Sequence, residues 1–457
     1  MEFSINDINK CLGFIDWNES KVEDLNFHSV SIDSRNINPK DLFVAIKGEK
    51  YDGHNFINEV IKKGIKAVVI DKKKLDIIPK GLPFWRVRDP LEAFQSLALF
   101  KRKKLNIPVI AITGSVGKTT TKEIAGEVLQ GFGKIKISER NNNNEIGVAL
   151  TIHSCDEKED LLVVEMGMRG LGQIEKLSQF SEPDIAVITN IGSSHIGILG
   201  SRDNIAKAKC EITKHLNPNG IVIIPKDDLL LEMYLKKIWN GRVMRVKVLN
   251  ISESKKDNLS KVNEICGYYD ELNNCIKIDN CVFEISLKGL HNAYNFLCVY
   301  AIAKELGLKF NLFNKFNFND ISGRNKLIKT RRFLIMDETY NASPESVKAC
   351  IKVLLELPGK HFLILGSMRE LGEYSVRFHE EILDFINKVN VDGCIFLCDL
   401  NLEKELQFSS VPQNKIKIVN SIKEILPLLN LWISEGDSIL IKGSRYWKLE
   451  NIIPLIN

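Results

Sequence analysis

The sequence predicts an α/β protein of three domains, and three observations carry that reading. At 457 residues the chain is long enough for about three cores rather than one. Short apolar runs rich in β-branched residues recur along it, each followed by a polar or glycine-bearing loop and a helix-length segment. That alternation indicates parallel sheets covered on both faces. One stretch, about 240–285, instead alternates apolar and polar residues, which marks a small β extension. The blocks fall at about 1–105, 106–325 and 326–457.

In the first block, "DLFVAIKG" and "KAVVID" read as strands flanking the helical "FINEVIKKG". Phe56, Ile57, Val60 and Ile61 give that helix one buried face, at i, i+3 and i+4. The second block opens on the strand "IPVIAIT" and continues with "LLVVEMG" and "DIAVITNIG", a parallel-sheet pattern. Within it, "VMRVKVLNIS" and "NCIKIDNCVFEISLKG" alternate as half-exposed antiparallel strands do. The third block repeats the theme in a Rossmann-like order. Its strands are "RFLIMDE", "HFLILGS", "GCIFLCD" and "DSILIKGS", spaced by helices such as "SVRFHEEILDFINKV".

Composition narrows the function classes. Hydrophobic residues at 44% and charged residues at 26% are ordinary for a water-soluble globular chain. No apolar run reaches the roughly 18 residues that span a bilayer, so no membrane insertion is expected. "MEFSINDINK" lacks the basic start and apolar core of a secretory signal, which points to the cytoplasm. The ten cysteines are scattered, and Cys394 and Cys398, the nearest pair, have no matching metal-ligand group. Net charge is only +5, so the cluster Lys101-Arg102-Lys103-Lys104 reads as a solvated helix end and not as a nucleic-acid surface.

The stretch "VIAITGSVGKTTTKEI" is a phosphate-binding loop that lacks its usual first glycine, which would fall at Ile112. Gly114, Ser115, Val116 and Gly117 can still turn tightly and expose successive N–H groups at a helix N-terminus, where an anion is favoured. Lys118 can reach the terminal phosphates, and the hydroxyls of Thr119 or Thr120 can take a Mg2+ position. The bland alternative is a glycine turn that merely joins strand to helix. Nucleotide binding is favoured because strand, loop, lysine, hydroxyls and helix occur in order.

Two further residues sit at strand ends beside that loop. Glu165 follows the buried run "LLVV", and His195 lies in "TNIGSSHIGILGS". Open α/β sheets bind ligands at the carboxyl ends of their strands, so this pair favours Mg2+ ligation.

The phosphate loop, "NNNNEIG", "EMGMRG", "TNIGSSHIGILGS" and "IAKAKCEI", in that succession, resemble the Mur ligases, the ATP-dependent amide-forming enzymes of peptidoglycan precursor synthesis. "DSRNINPKDLFVAIKGEKYDGHNFI" resembles their N-terminal UDP-sugar domain. "GLHNAYN", "SGR" and "MDETYNASPES" resemble their nucleotide contacts, and "ILGSMRELGEYSVRFHEEI" with "ILIKGSRYWKLE" their C-terminal domain. Some positions depart from the family pattern. Arg140-Asn141-Asn142-Asn143-Asn144 replaces Gly-Asn-Leu-Asn-Asn, Ala149 stands for proline and Lys40 for glycine.

The resemblance implies a division of labour. Residues 1–105 would bind the UDP substrate, 106–325 ATP, and 326–457 the amine. "ETYNASPES" and "GSMRELGE" fit best the member that joins D-alanyl-D-alanine to a UDP-N-acetylmuramoyl-tripeptide. A peptide carboxylate would attack the γ-phosphate of ATP, and the amine would then displace phosphate from the acyl phosphate. The product would be the UDP-muramyl pentapeptide, and a monomer is expected. By the same resemblance, Lys118, Lys209, Glu165, His195 and Arg324 carry the chemistry, with Thr119, Glu165 and His195 on Mg2+. Lys209 aligns with a lysine that the family carbamylates, and a carbamate there would be an additional metal ligand; Lys207 lies on another face of the helix. Asn292 would lie near adenine and Asp337 at the ribose, with Asn295 and Asn341 also at the nucleotide and Arg324 offsetting the charge of the reacting anions. Ser34 and Arg35 would contact the UDP portion, and Asn143 and Asn144 the peptide. Arg369, Glu370, Lys442 and Ser444 would lie near the amine.

Two other readings make different demands. A Mur-type ligase adding a single, dibasic amino acid would be expected to carry an Asp-Asn-Pro-Arg-like segment in the last domain, and a folylpolyglutamate-type ligase would not be expected to show the long N-terminal block with "DSR" and "DGH". A nucleotide switch would hydrolyse slowly and would need neither Glu165, His195 nor Lys209.

Overall fold

The structure is a computed structural model that describes residues 2–16, 25–251, 263–318, 323–406 and 415–456. The first domain pairs β1 (Phe3–Ser4) with β2 (Asn26–Phe27) antiparallel. Its main sheet is all parallel, in the order β3 (Ser29–Ser31), β4 (Asp41–Val44), β5 (Val68–Asp71), β6 (Phe84–Val87). The motif "DGH" pins this sheet. The His54 ring lies 2.6 Å from Asp52 by Nδ1 and accepts from the Asp71 N–H at 3.0 Å through Nε2.

The helix Pro90–Leu105 leads into the middle domain, and here a sequence expectation fails. Lys101 and Arg102 are buried and are not part of a solvated helix end. Lys101 Nζ donates to the His153 carbonyl at 2.6 Å, and Arg102 pairs with Asp184 at 2.7 Å while also donating to the Ser181, Ile107 and Glu182 carbonyls. A buried cation is tolerable only when its donors are satisfied, and these are. The basic cluster therefore staples the helix to the middle domain.

The middle sheet is built from β7 (Val109–Thr113), β8 (Ile135–Ile137), β9 (Leu161–Glu165), β10 (Ile185–Ile188) and β11 (Ile221–Pro225). It continues through β12 (Arg242–Asn250), β13 (Glu264–Asp270), β14 (Cys275–Ile278), β15 (Cys281–Ile285) and β16 (Phe313–Phe316). The order is β16-β15-β14-β13-β12-β11-β10-β7-β9-β8. β7, β9 and β10 are buried at every residue, as helices on both faces require. The chain runs from β7 out to β8 and β9 on one side, then to β10 and β11 on the other. The crevice beside β7 is thus a topological switch point, where such sheets bind ligands.

The β extension also departs from expectation. β12 pairs parallel with both β11 and β13, so "VMRVKVLN" is not an antiparallel strand; only β13, β14 and β15 pair antiparallel. Alternating polarity reports that a strand is half covered, and β12 is mostly half-buried. It carries no information on strand direction.

The C-terminal sheet has β17 (Lys326–Lys329), β18 (Leu334–Glu338), β19 (His361–Gly366), β20 (Gly393–Leu397), β21 (Ile416–Val419) and β22 (Ser438–Lys442). Its order is β17-β18-β22-β19-β20-β21, parallel except for β17. Among the described residues, no helix is long and apolar enough to cross a membrane.

Candidate active site

The phosphate loop answers its missing glycine simply. Ile112 is a fully buried residue of β7, so the loop starts two residues later, at Gly114. Gly114 has φ 152°, and a Cβ there would run into Thr189 Oγ1. Gly117 caps the helix Lys118–Val128 at φ 85°, where a Cβ would lie 2.6 Å from Asn295 Oδ1. Both positions combine left-handed backbone with no side-chain space, which only glycine meets.

The loop is shaped by the residues that follow β10. Ser115 N–H donates to the Asn190 carbonyl at 3.1 Å, and Val116 N–H to Asn190 Oδ1 at 3.0 Å. Asn190 Nδ2 and Thr189 Oγ1 donate back to the Val116 carbonyl, at 3.0 and 2.6 Å. Gly192 N–H donates to Ser115 Oγ at 2.9 Å. The sequence offered "TNIG" as a motif but gave Thr189 and Asn190 no individual role, because their partners lie more than seventy positions away.

Lys118 Nζ folds over this loop, donating to the Gly114 carbonyl at 2.7 Å and the Ser115 carbonyl at 3.2 Å. Burial lowers its pKa to about 8; the Glu165 carboxylate opposes that shift and the Arg324 cation adds to it. Glu165, at the end of β9, is buried. Its Oε1 accepts from Asn143 Nδ2 at 2.8 Å, while its Oε2 is buried without a hydrogen-bond partner. A buried carboxylate oxygen left open suits a cation, and Mg2+ takes one or two protein oxygens and fills its remaining positions with phosphates and water. Glu165 and the Thr119 hydroxyl fit that demand. Among the described residues no three His, Cys, Asp or Glu gather as a metal cage.

Lys209 lies in the last turn of the helix Arg202–Cys210 and is 1% exposed, whereas Lys207 of the same helix is exposed. Burial, and then the charge of Lys118, drive the Lys209 pKa well below its usual value. His195 faces the C-terminal domain, its Nδ1 lying 2.5 Å from Glu370 Oε2, and the imidazole helps hold the Glu370 carboxyl below its ordinary pKa.

These residues border one cavity of about 1630 Å³ between the middle and C-terminal domains. Of the sequence-derived candidates, its walls include Ser115 to Thr120, Asn143, Asn144, Glu165, His195 and Lys209 from the middle domain. They also include Asn292, Asn295, Arg324, Asn341, Arg369, Glu370, Lys442 and Ser444. Several are tied locally. The Arg324 guanidinium lies 4.1 Å from the Tyr340 ring centre, Lys442 pairs with Glu338 at 3.3 Å, and Asn144 Oδ1 accepts from the Gly147 N–H at 2.8 Å. Arg369 sits between Asp399 at 3.1 Å and the Tyr446 ring at 4.3 Å.

Four candidates fall outside these walls, one of them Gly114 at the start of the phosphate loop. Asp337 is buried, with Oδ1 accepting from the N–H and hydroxyl of Thr339. Ser34 lies in the first domain with its carbonyl held by Lys63, and Arg35 is exposed and paired with Asp33 at 2.8 Å, a surface ion pair. Ser322 of the "SGR" motif lies outside the described residues.

Residues 26–102 match the Mur ligase family catalytic domain, 112–303 the Mur ligase middle domain, and 323–445 the Mur ligase glutamate ligase domain. The UDP-N-acetylmuramoyl-tripeptide–D-alanyl-D-alanine ligase of Synechocystis is 35% identical over 93% of this chain and 90% of its own length. Its Bacillus subtilis counterpart is 34% identical over 93% and 92%. The crystal structure of the MurF ligase from Thermotoga maritima in complex with ADP superposes at a TM-score of 0.78, with 28% identity over 93% of this chain and 96% of that one. With its phosphate loop, interdomain cavity and near full-length likeness to these enzymes, the chain belongs to the Mur ligase family.

Proposed function

We infer that the interdomain cavity performs the ligation for which these relatives are named. The chain is an ATP-dependent ligase that joins D-alanyl-D-alanine to UDP-N-acetylmuramoyl-tripeptide in peptidoglycan synthesis. The observation that supports assigning the chemistry to this cavity is its wall. It brings the phosphate-loop lysine, an open carboxylate and a buried second lysine together with the Arg369 loop of the other domain.

The physical obstacle is the meeting of two anions. Two unit charges at 4 Å repel by about 4 kcal/mol at an effective dielectric of 20. Lys118 and Arg324 offset that repulsion from fixed positions, which is where electrostatic catalysis gains most. A carboxylate oxygen of the tripeptide attacks the γ-phosphorus, the bond to the β-phosphate oxygen breaks, and ADP leaves. The amine nitrogen of D-alanyl-D-alanine then attacks the acyl carbon, the carbon–oxygen bond to phosphate breaks, and the amine loses its proton. No enzyme nucleophile is needed.

Bound Mg2+ would neutralise phosphate charge, held by Glu165 Oε2 and the Thr119 hydroxyl. Lys209 is the candidate for carbamylation. Burial and the neighbouring Lys118 cation favour its neutral amine, and adding CO2 with loss of a proton would convert it to an anion that Lys118 attracts. Asn143 orients Glu165.

The reading is tested with purified enzyme, ATP and a panel of amines. Phosphate release that requires both UDP-muramyl tripeptide and D-alanyl-D-alanine is the expected result. Release driven equally well by a single amino acid, or independent of any peptide, would overturn it.

A further inference from the structure

The segment from Gly192 to Gly200 is gripped from two sides. Toward the phosphate loop, Gly192 N–H donates to Ser115 Oγ at 2.9 Å. Toward the C-terminal domain, Ser193 donates both its N–H and its hydroxyl to Glu345 Oε1, each at 2.8 Å. Glu345 stands in the first turn of the helix Pro344–Leu354, and a Cβ on Gly192 would lie 3.0 Å from its carboxyl carbon. The grip continues along the segment. Gly197 N–H donates to the Glu370 carbonyl at 3.0 Å, the Tyr374 hydroxyl to the Gly200 carbonyl at 3.0 Å, and a Cβ on Gly372 would lie 2.7 Å from Gly197 Cα.

We propose that Glu345 is a positioning residue for amide formation: it ties the amine-bearing domain to the phosphate loop through Ser193 and Gly192. The proposal rests on the ligase reading above. Acyl phosphate forms on the middle domain, whereas the Arg369 loop that faces the amine belongs to the other. The two must be held in register for the second step, and a displacement of about 1 Å at a reacting centre can cost 10²-fold. With the tie lost, the acyl phosphate still forms. Water then competes with the amine for it, restoring the carboxylate and releasing phosphate without an amide.

A plain structural role makes a different forecast. An acid in the first turn of a helix is favoured by the helix dipole, and that benefit needs the charge. The tie needs only an acceptor oxygen, which glutamine retains. Glu345 is itself exposed, so its replacement leaves the core untouched.

The experiment measures phosphate released per amide formed, with KM for ATP and for D-alanyl-D-alanine, in wild type, Glu345→Ala and Glu345→Gln. Glu345→Ala is expected to raise the dipeptide KM about tenfold and to release several phosphates per amide, with the ATP KM unchanged within about twofold. Glu345→Gln is expected to recover most of the coupling. Tight coupling in Glu345→Ala, or equal leakage in Glu345→Gln, would overturn the inference alone. A wild-type enzyme that shows no tripeptide-dependent phosphate release would remove the ligase reading, and the inference with it.

Discussion

Lys209→Ala is expected to lower amide formation by about a thousandfold or more, the scale on which preorganised electrostatic groups act, while leaving ATP binding near wild type. Lys209 is 1% exposed and lines the cavity, so it is neither a solvated helix lysine nor a distant support. Desolvation and the Lys118 charge favour its neutral amine, the form that reacts with CO2. As a carbamate it would carry negative charge and oxygen donors; alanine supplies neither. Lys207→Ala provides the control, since that side chain is exposed on the same helix. Turnover is followed by amide product and ATP binding by calorimetry with a non-hydrolysable analogue. Intact mass of wild type kept in bicarbonate should show one added CO2 that Lys209→Ala lacks. A Lys209→Ala enzyme with near-normal turnover would remove the residue from the mechanism.

Lys118→Met carries the second large effect. It keeps the length of the side chain and removes one cation from the phosphate loop. Losing one preorganised group of this kind costs about 2.7–4 kcal/mol, or 10²–10³ in rate. ATP affinity falls too, because the Nζ that bridges the loop carbonyls is also the loop's own cation. The pH dependence supplies an independent readout. With its pKa lowered to about 8, Lys118 is protonated below that pH and becomes neutral as pH rises through it. Nucleotide binding prefers the cation, so the wild-type KM for ATP should climb above about pH 8. In Lys118→Met the KM should be high throughout and lack that inflection. A wild-type ATP KM that is flat across this range would contradict the assignment.

Much of this architecture could be read from the sequence, for identifiable reasons. Buried parallel strands write themselves as unbroken apolar runs, so β7, β9, β10, β20 and β22 were legible, and each candidate at a strand end followed from them. The phosphate loop was legible because its glycines, lysine and hydroxyls lie within a few residues. What could not be read depends on neighbours distant in the chain. Asn190 grips a loop 74 residues away, and Glu345 reaches Ser193 across 152 positions. Neither spacing leaves a periodic trace. Charge patterning misled at Lys101 and Arg102, because the carbonyls and the Asp184 carboxylate that satisfy them become neighbours only in the fold. Alternation misled at β12, since half-burial is shared by parallel and antiparallel strands.

On the mechanism proposed here, cations on the phosphate loop let a peptide carboxylate attack the γ-phosphorus of ATP directly. Tripeptide labelled with ¹⁸O in both oxygens of its reacting carboxylate tests this most simply. With ATP and D-alanyl-D-alanine present, each turnover is expected to move one ¹⁸O into inorganic phosphate and to leave the other in the new amide. Phosphate released without label, beside amide formed normally, would contradict it.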